Sequence, residues 1–200
     1  DRGSAPKAPE VALGPIIQEN IGKVAPARTY QDLLKNAYDE DLFDYYATSR
    51  LAEISLDGNV KYLTAPGATL YGDVSPDGKY ILAATMHRPY SYIVPYYRFP
   101  YRVDILDREG KLIKTIADLP LEEEVVIHFD AVVDSPRGFG WRQDSPATIY
   151  WAKAQDGGNP FKEAKLRDKV FYLDAPFTGE KKELIALEYR FGGVYWGDGS

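Results

Sequence analysis

The sequence predicts an all-β protein: a partial β-propeller of consecutive four-stranded antiparallel blades, with a short N-terminal helix. Three observations lead there. A strand–turn–strand pattern recurs, as Tyr71-Gly72-Asp73-Val74, Ser75-Pro76-Asp77-Gly78 and Lys79-Tyr80-Ile81-Leu82, and again over 138–151. A third start, Phe191-Gly192-Gly193-Val194-Tyr195-Trp196, comes before the last residue. The composition, with 16 Tyr and 3 Trp, favours pleated surfaces on which rings pack well. Asp57-Gly58, Asp77-Gly78 and Glu109-Gly110 supply the positive backbone angles that tight hairpin turns need. A repeat unit cannot bury its apolar faces alone and must stack on neighbours, so the chain reads as a piece of a larger assembly.

Taken in order, residues 1–28 have no period and are expected to form an irregular tail. Thr29-Tyr30-Gln31-Asp32 resembles a helix start with Thr29 as cap, and Leu33, Leu34, Ala37 and Tyr38 continue at helical spacing, predicting a helix over about 30–38. Asp39-Glu40-Asp41 then reads as a solvated acidic turn. The partial propeller is expected over 29–200. Strands at 51–55 and 60–63 would be the last two of one blade, about 50–64. Strands at 69–74, 79–85, 102–106 and 111–117 make a blade over about 68–118, interrupted by a long connection at 86–101. Strands at 138–142, 148–153, 169–173 and 182–186 make the next, about 137–187, and 191–200 begins another. From Val74 to Trp141 is 67 residues and from Trp141 to Trp196 is 55, both above the roughly 40–45 of a regular blade, so insertions are expected. An incomplete ring has open edges, which predicts self-association if the chain stands alone.

Composition removes several functions. Net charge is −6 and no segment carries a run of Lys or Arg, which argues against nucleic acid or an anionic membrane as partner. Cysteine is absent, excluding a disulfide scaffold, a thiolate metal site and a cysteine nucleophile. Gly138-Phe139-Gly140 lacks the third glycine of a dinucleotide loop and precedes a strand. Asp156-Gly157-Gly158-Asn159-Pro160 lacks the alternating oxygens of a calcium loop and reads as a long flexible turn. Glu122-Glu123-Glu124 reads as solvated surface. No cofactor or metal is predicted.

Several segments, in order, carry a resemblance. They are Ser75-Pro76-Asp77-Gly78-Lys79-Tyr80-Ile81-Leu82, the insertion 87–100, Leu119-Pro120-Leu121, Trp141-Arg142, Ile149-Tyr150-Trp151 and Gln155-Asp156-Gly157-Gly158. Together they resemble the propeller of prolyl-oligopeptidase-family serine peptidases, and within it the glutamyl endopeptidase branch of chloroplasts and bacteria. The likeness runs over roughly 30–200. It implies a two-part enzyme in which a propeller filters access to an α/β-hydrolase domain with a Ser–Asp–His triad. This chain has no Gly-x-Ser-x-Gly elbow, and its only histidines, His87 and His128, lie in propeller-type sequence. It is therefore expected to be the non-catalytic part, partnered by a C-terminal hydrolase domain of the same protein and by peptide substrate. A secreted or periplasmic setting is expected, with cytoplasm or plastid as alternatives. The competing reading is a stand-alone propeller-like module binding peptide or carbohydrate.

The insertion 87–100 is the stretch whose composition asks for a function, with two Arg, three Pro and four Tyr in fourteen residues. The prolines restrict the backbone and suppress ladder pairing. In meander order it joins the second and third strands of its blade, on the face of the blade-to-blade connections. There Arg88, Tyr92, Arg98 and Arg102 are candidate substrate-binding residues, since arginine forks match a carboxylate. Alternatively the rings pack the insertion onto its own blade while the arginines pair locally, or the loop docks another domain.

Overall fold

The computed structural model describes residues 3–11, 14 and 30–197. One α-helix, α1 (Ala37–Ala47), precedes ten strands: β1 (Ala52–Ile54), β2 (Val60–Tyr62), β3 (Ala68–Val74), β4 (Tyr80–Met86), β5 (Tyr101–Asp107), β6 (Leu112–Leu119), β7 (Arg137–Trp141), β8 (Thr148–Ala154), β9 (Asp168–Asp174) and β10 (Lys182–Leu187). They form a hairpin, β1-β2, and two four-stranded antiparallel sheets, β3-β4-β5-β6 and β7-β8-β9-β10. Every neighbour in a sheet is also its neighbour in sequence. The architecture is all-β, propeller-like and partial, and no barrel closes among the described strands.

The helix begins later than the spacing predicts. Asp32 adopts a left-handed backbone, with φ 57°, which a helix over 30–38 cannot contain. The start falls on Asn36 instead, whose side chain accepts the Asp39 backbone N–H at 2.9 Å. Asp39 and Glu40 then occupy the first turn, where the helix dipole favours negative charge. The acidic triplet predicted as a turn is thus helical. The predicted cap Thr29 lies outside the described residues.

Alternation along β4 explains the layering. Leu82 and Ala84 point to one face, where they join Val103, Ile105 and Leu119 against Trp141, Ile149, Trp151, Leu173 and Phe177 of the second sheet. Ile81 and Ala83 point to the other, with Leu106, against Leu51 and Leu63 beside the β1-β2 hairpin. Hairpin, first sheet and second sheet therefore stack in chain order, and β4 is buried on both faces. Fully burying a Leu or Ile of this kind stabilises by about 1.5–3 kcal/mol. Trp141, 2% exposed, reaches across the stack, and its indole N–H donates to the Asp73 carbonyl at 3.1 Å. Trp196 packs edge-on to Tyr150, with ring centroids 5.3 Å apart. Residues 191–197, expected to open a further strand, carry none.

Candidate functional site at the long-loop end

Meander order places the connections alternately at two ends of the stack. The turns at 75–79, 108–111, 142–147 and 175–181 share one end. The connections at 87–100, 120–136 and 155–167, with the chain beyond β10, share the other. Contacts between connections agree. At the short-turn end Asp77 N–H donates to the Pro146 carbonyl at 2.9 Å. At the long-loop end Glu122 N–H donates to the Arg98 carbonyl at 3.0 Å and Val132 N–H to the Gly158 carbonyl at 3.1 Å. The long-loop end also carries exposed aromatics: Tyr96 at 56%, Tyr97 at 59%, Phe129 at 96%, Phe161 at 70% and Tyr189 at 81%.

The insertion is seated by its rings. Tyr90 stacks on Phe99 at 4.9 Å, Phe43 of α1 meets both edge-on, and Met86 and Val94 complete the cluster. Of the candidate residues, Arg88 is already engaged. Its Nε donates to Asp44 Oδ2 at 2.9 Å, Nη1 to Glu40 Oε2 at 2.7 Å and Nη2 to Asp41 Oδ1 at 2.8 Å. Tyr92 Oη donates to the second oxygen of the same Glu40 carboxylate at 2.6 Å, which pushes the phenol up to about 12. Tyr90 Oη donates to Asp44, and burial followed by that hydrogen bond pushes its phenol up as well. Arg102 Nε donates to Asp104 Oδ2 at 2.7 Å, and Asp104 also accepts from Thr115. Arg98, half-buried on the 3-10 turn Tyr96–Arg98, has no ion-pair partner among the described residues. The structure thus gathers Arg88 and Tyr92 on one carboxylate and leaves Arg98 beside Tyr96 and Tyr97.

Other expectations need revision. Glu123 accepts from Ser91 Oγ at 2.6 Å, which clasps the insertion to the β6–β7 connection, and Glu122 accepts from Ser135 within that connection; these two are half exposed, while Glu124 is exposed as expected. Asp156, predicted in a flexible turn, is 5% exposed and accepts from Arg167 at 2.8 Å and Arg190 at 2.7 Å. Burial pushes its carboxyl up, but those two guanidiniums outweigh it and hold the group below the usual carboxylate range.

Asp156 belongs to a network that sequence reasoning missed. Asp168, 0% exposed at the start of β9, pairs with Arg137 of β7 and with Arg190 Nη1 at 3.3 Å. Arg190 Nε donates further, to the Asp130 carbonyl at 2.8 Å. Beside the network lies a cleft of about 580 Å³ bordered by His128, Asp130, Lys165, Arg167, Tyr189 and Arg190. The partners are 11 to 60 residues apart, so no local spacing announces them. Among the described residues no group of three or more His, Cys, Asp or Glu is placed to hold a metal ion.

The long-loop end therefore offers anchored aromatics and an arginine with no ion-pair partner among the described residues. Comparison with known proteins supplies the context. The chain is 45% identical over 202 aligned residues, its whole length, to a probable chloroplastic glutamyl endopeptidase of Oryza sativa subsp. japonica. It is 44% identical over 200 residues to one of Arabidopsis thaliana. The resemblance to glutamyl endopeptidases is shown along the whole chain. The chain spans only 22% and 21% of the length of these relatives. No family model matches the chain, and no solved structure does.

Proposed function

We propose that this chain is the non-catalytic propeller portion of a serine peptidase of the prolyl-oligopeptidase type that cleaves after acidic residues. Its long-loop end faces an α/β-hydrolase domain and shapes the entry of peptide substrate. The observation that carries the reading is the asymmetry of the stack. Exposed aromatics collect at one end with Arg98, whose guanidinium has no acidic partner among the described residues. Rings with polar tips and unpaired arginines are the residue types that interfaces and carboxylate recognition use. The outer face of the β1-β2 hairpin, with Ile54 at 68% and Tyr62 at 63% exposure, is open in the same way. In the complete protein a further blade covers it; in isolation it promotes self-association. The chloroplastic names of both relatives make a plastid the first compartment to test, and they lend nothing to a secreted setting.

The test is kcat/KM for matched Glu and Gln peptides in the full-length protein and its Arg98→Ala variant. A desolvated carboxylate that loses a charged partner weakens by about 2–5 kcal/mol, so the Glu/Gln preference should fall at least tenfold. An unchanged ratio removes Arg98 from substrate recognition.

A further inference from the structure

We propose that Arg88 and Tyr92 form a glutamate-binding site that is occupied in the resting fold by the chain's own Glu40, so that α1 acts as a displaceable internal competitor of acidic substrate. The inference rests on the proposed acid-selective function but on different residues from Arg98. Both oxygens of the Glu40 carboxylate are held, one by Arg88 Nη1 at 2.7 Å and the other by Tyr92 Oη at 2.6 Å. One guanidinium N–H and one hydroxyl converging on the two oxygens of one side chain is a geometry that can recognise a glutamate, whichever chain supplies it. Here the glutamate comes from a helix, and the donors come from a loop of the long-loop end.

The helix that supplies the occupant is shallowly seated. No residue of α1 is fully buried. The Arg88 side chain is 42% exposed and its partners Asp41 and Asp44 are 59% and 42% exposed, whereas Glu40 itself is 16% exposed. The Asp41 and Asp44 pairs, with this much water access, contribute little, because water and salt replace them readily, so the tie to Glu40 is the one an incoming carboxylate must match. Arg88 also faces more acid than it can neutralise, since Glu40, Asp41 and Asp44 all bond to one guanidinium. Removing one carboxylate leaves two still on Arg88, so Glu40 can swing out while α1 stays seated through Phe43 on Tyr90 and Phe99. An incoming glutamate side chain would then take the place of Glu40 with no change in charge at the site.

The experiment compares Glu40→Ala with the wild type in the full-length protein. Calorimetric binding of the capped peptides acetyl-Ala-Glu-Ala-amide and acetyl-Ala-Gln-Ala-amide is the readout, and a thermal melt verifies that α1 remains folded. With the competitor gone, affinity for the Glu peptide should rise about tenfold, with the Gln peptide unchanged. Adding Tyr92→Phe to Glu40→Ala should reverse most of the gain. Equal Glu-peptide affinity in Glu40→Ala and wild type overturns the internal competitor. If Arg98→Ala still lowers the Glu/Gln ratio in that case, the acid-selective reading survives without it; if neither variant changes the ratio, both fall. A gain that persists in the Glu40→Ala/Tyr92→Phe protein places the peptide elsewhere and also overturns the site.

Discussion

The two ends of the sheet stack are held together in different ways. At the short-turn end three of the four turns carry closing side-chain bonds of their own, beside ties between turns such as Asp77 N–H to the Pro146 carbonyl. Ser75 Oγ donates to Asp77 at 2.7 Å, Asp107 accepts from Glu109 and Lys111 N–H at 3.0 and 2.8 Å, and Arg142 pairs with Asp144 at 2.8 Å. At the long-loop end the important partners are distant in sequence, as with Arg88 and Glu40, Ser91 and Glu123, or Arg190 and Asp156. Local closure makes an end cheap to fold and resistant to change. Long-range closure makes an end whose shape depends on many segments at once, and which carries exposed rings and arginines. Binding surfaces are commonly built on such loops above a rigid scaffold.

The largest expected effect comes from the buried network. Asp168→Asn leaves Arg137 and Arg190 with a neutral partner in a site that is 0% exposed, which should destabilise the protein by about 3–5 kcal/mol. Asp144→Asn, at an exposed pair of the other end, should change little. Urea unfolding of the two variants side by side measures the contrast. Equal losses would mean that the long-loop end is no more dependent on distant ties than its opposite.

A pair of glycines sharpens the comparison. Gly78 and Gly158 have nearly the same left-handed backbone, with φ +71° and +73°, so alanine strains both by about 1–3 kcal/mol. At Gly78 a new Cβ meets nothing within 4 Å, whereas at Gly158 it would lie 2.0 Å from the Val132 carbonyl oxygen. Gly158→Ala should therefore cost distinctly more, and the excess measures the packing of one long connection on another. Matching melting temperatures for the two variants would show that the 155–167 loop yields.

This division also explains what was legible in the sequence. Strands β1 to β10 fall within a residue or two of the alternating segments, because period-2 patterning and Asp-Gly turns are local signals. The same is true of Trp141 and Trp151 as rings between sheets. The helix was displaced because Leu33 and Leu34 have helical spacing, yet Asp32 turns left-handed and Asn36 makes the better cap. At the candidate site the sequence singled out the insertion through its Arg, Pro and Tyr content. It could not show that Arg88 and Tyr92 meet Glu40, 48 and 52 residues away, while Arg98 has no ion-pair partner among the described residues. Composition singles out a loop, but only the fold decides which of its charges are already spoken for.

A smaller effect is expected for Arg88→Ala. Its pairs with Asp41 and Asp44 are half exposed and contribute roughly 0–1 kcal/mol each, and Arg88 itself is 42% exposed, so global stability should fall only slightly. The first turns of α1 lose their tether, however, and hydrogen exchange should quicken over 39–44 while β3 to β6 stay protected. Uniform protection along α1 would mean that Phe43 and its ring contacts hold the helix unaided.

The smallest effect is a pH dependence confined to the root of the insertion. His87 Nδ1 lies 2.7 Å from the Arg88 carbonyl and Nε2 lies 2.8 Å from Asp118 Oδ1 on β6. Both ring nitrogens face acceptors, so only the doubly protonated imidazolium donates to both. The Arg88 carbonyl is the main reason the ring's pKa is raised above its ordinary 6.5; burial opposes the rise, Asp118 adds to it and Arg102 counters it. A raised folded-state pKa means that this tie is fully present below the unfolded value and is lost as pH climbs through the folded one. The window therefore begins near 6.5 and extends upward. The ring is 43% exposed, so solvent screening keeps the effect small. The stability difference between wild type and His87→Gln should be greatest near pH 6 and shrink steadily towards pH 8.5. A His87 proton resonance that titrates at or below 6.5 would show that neither acceptor holds the charged ring.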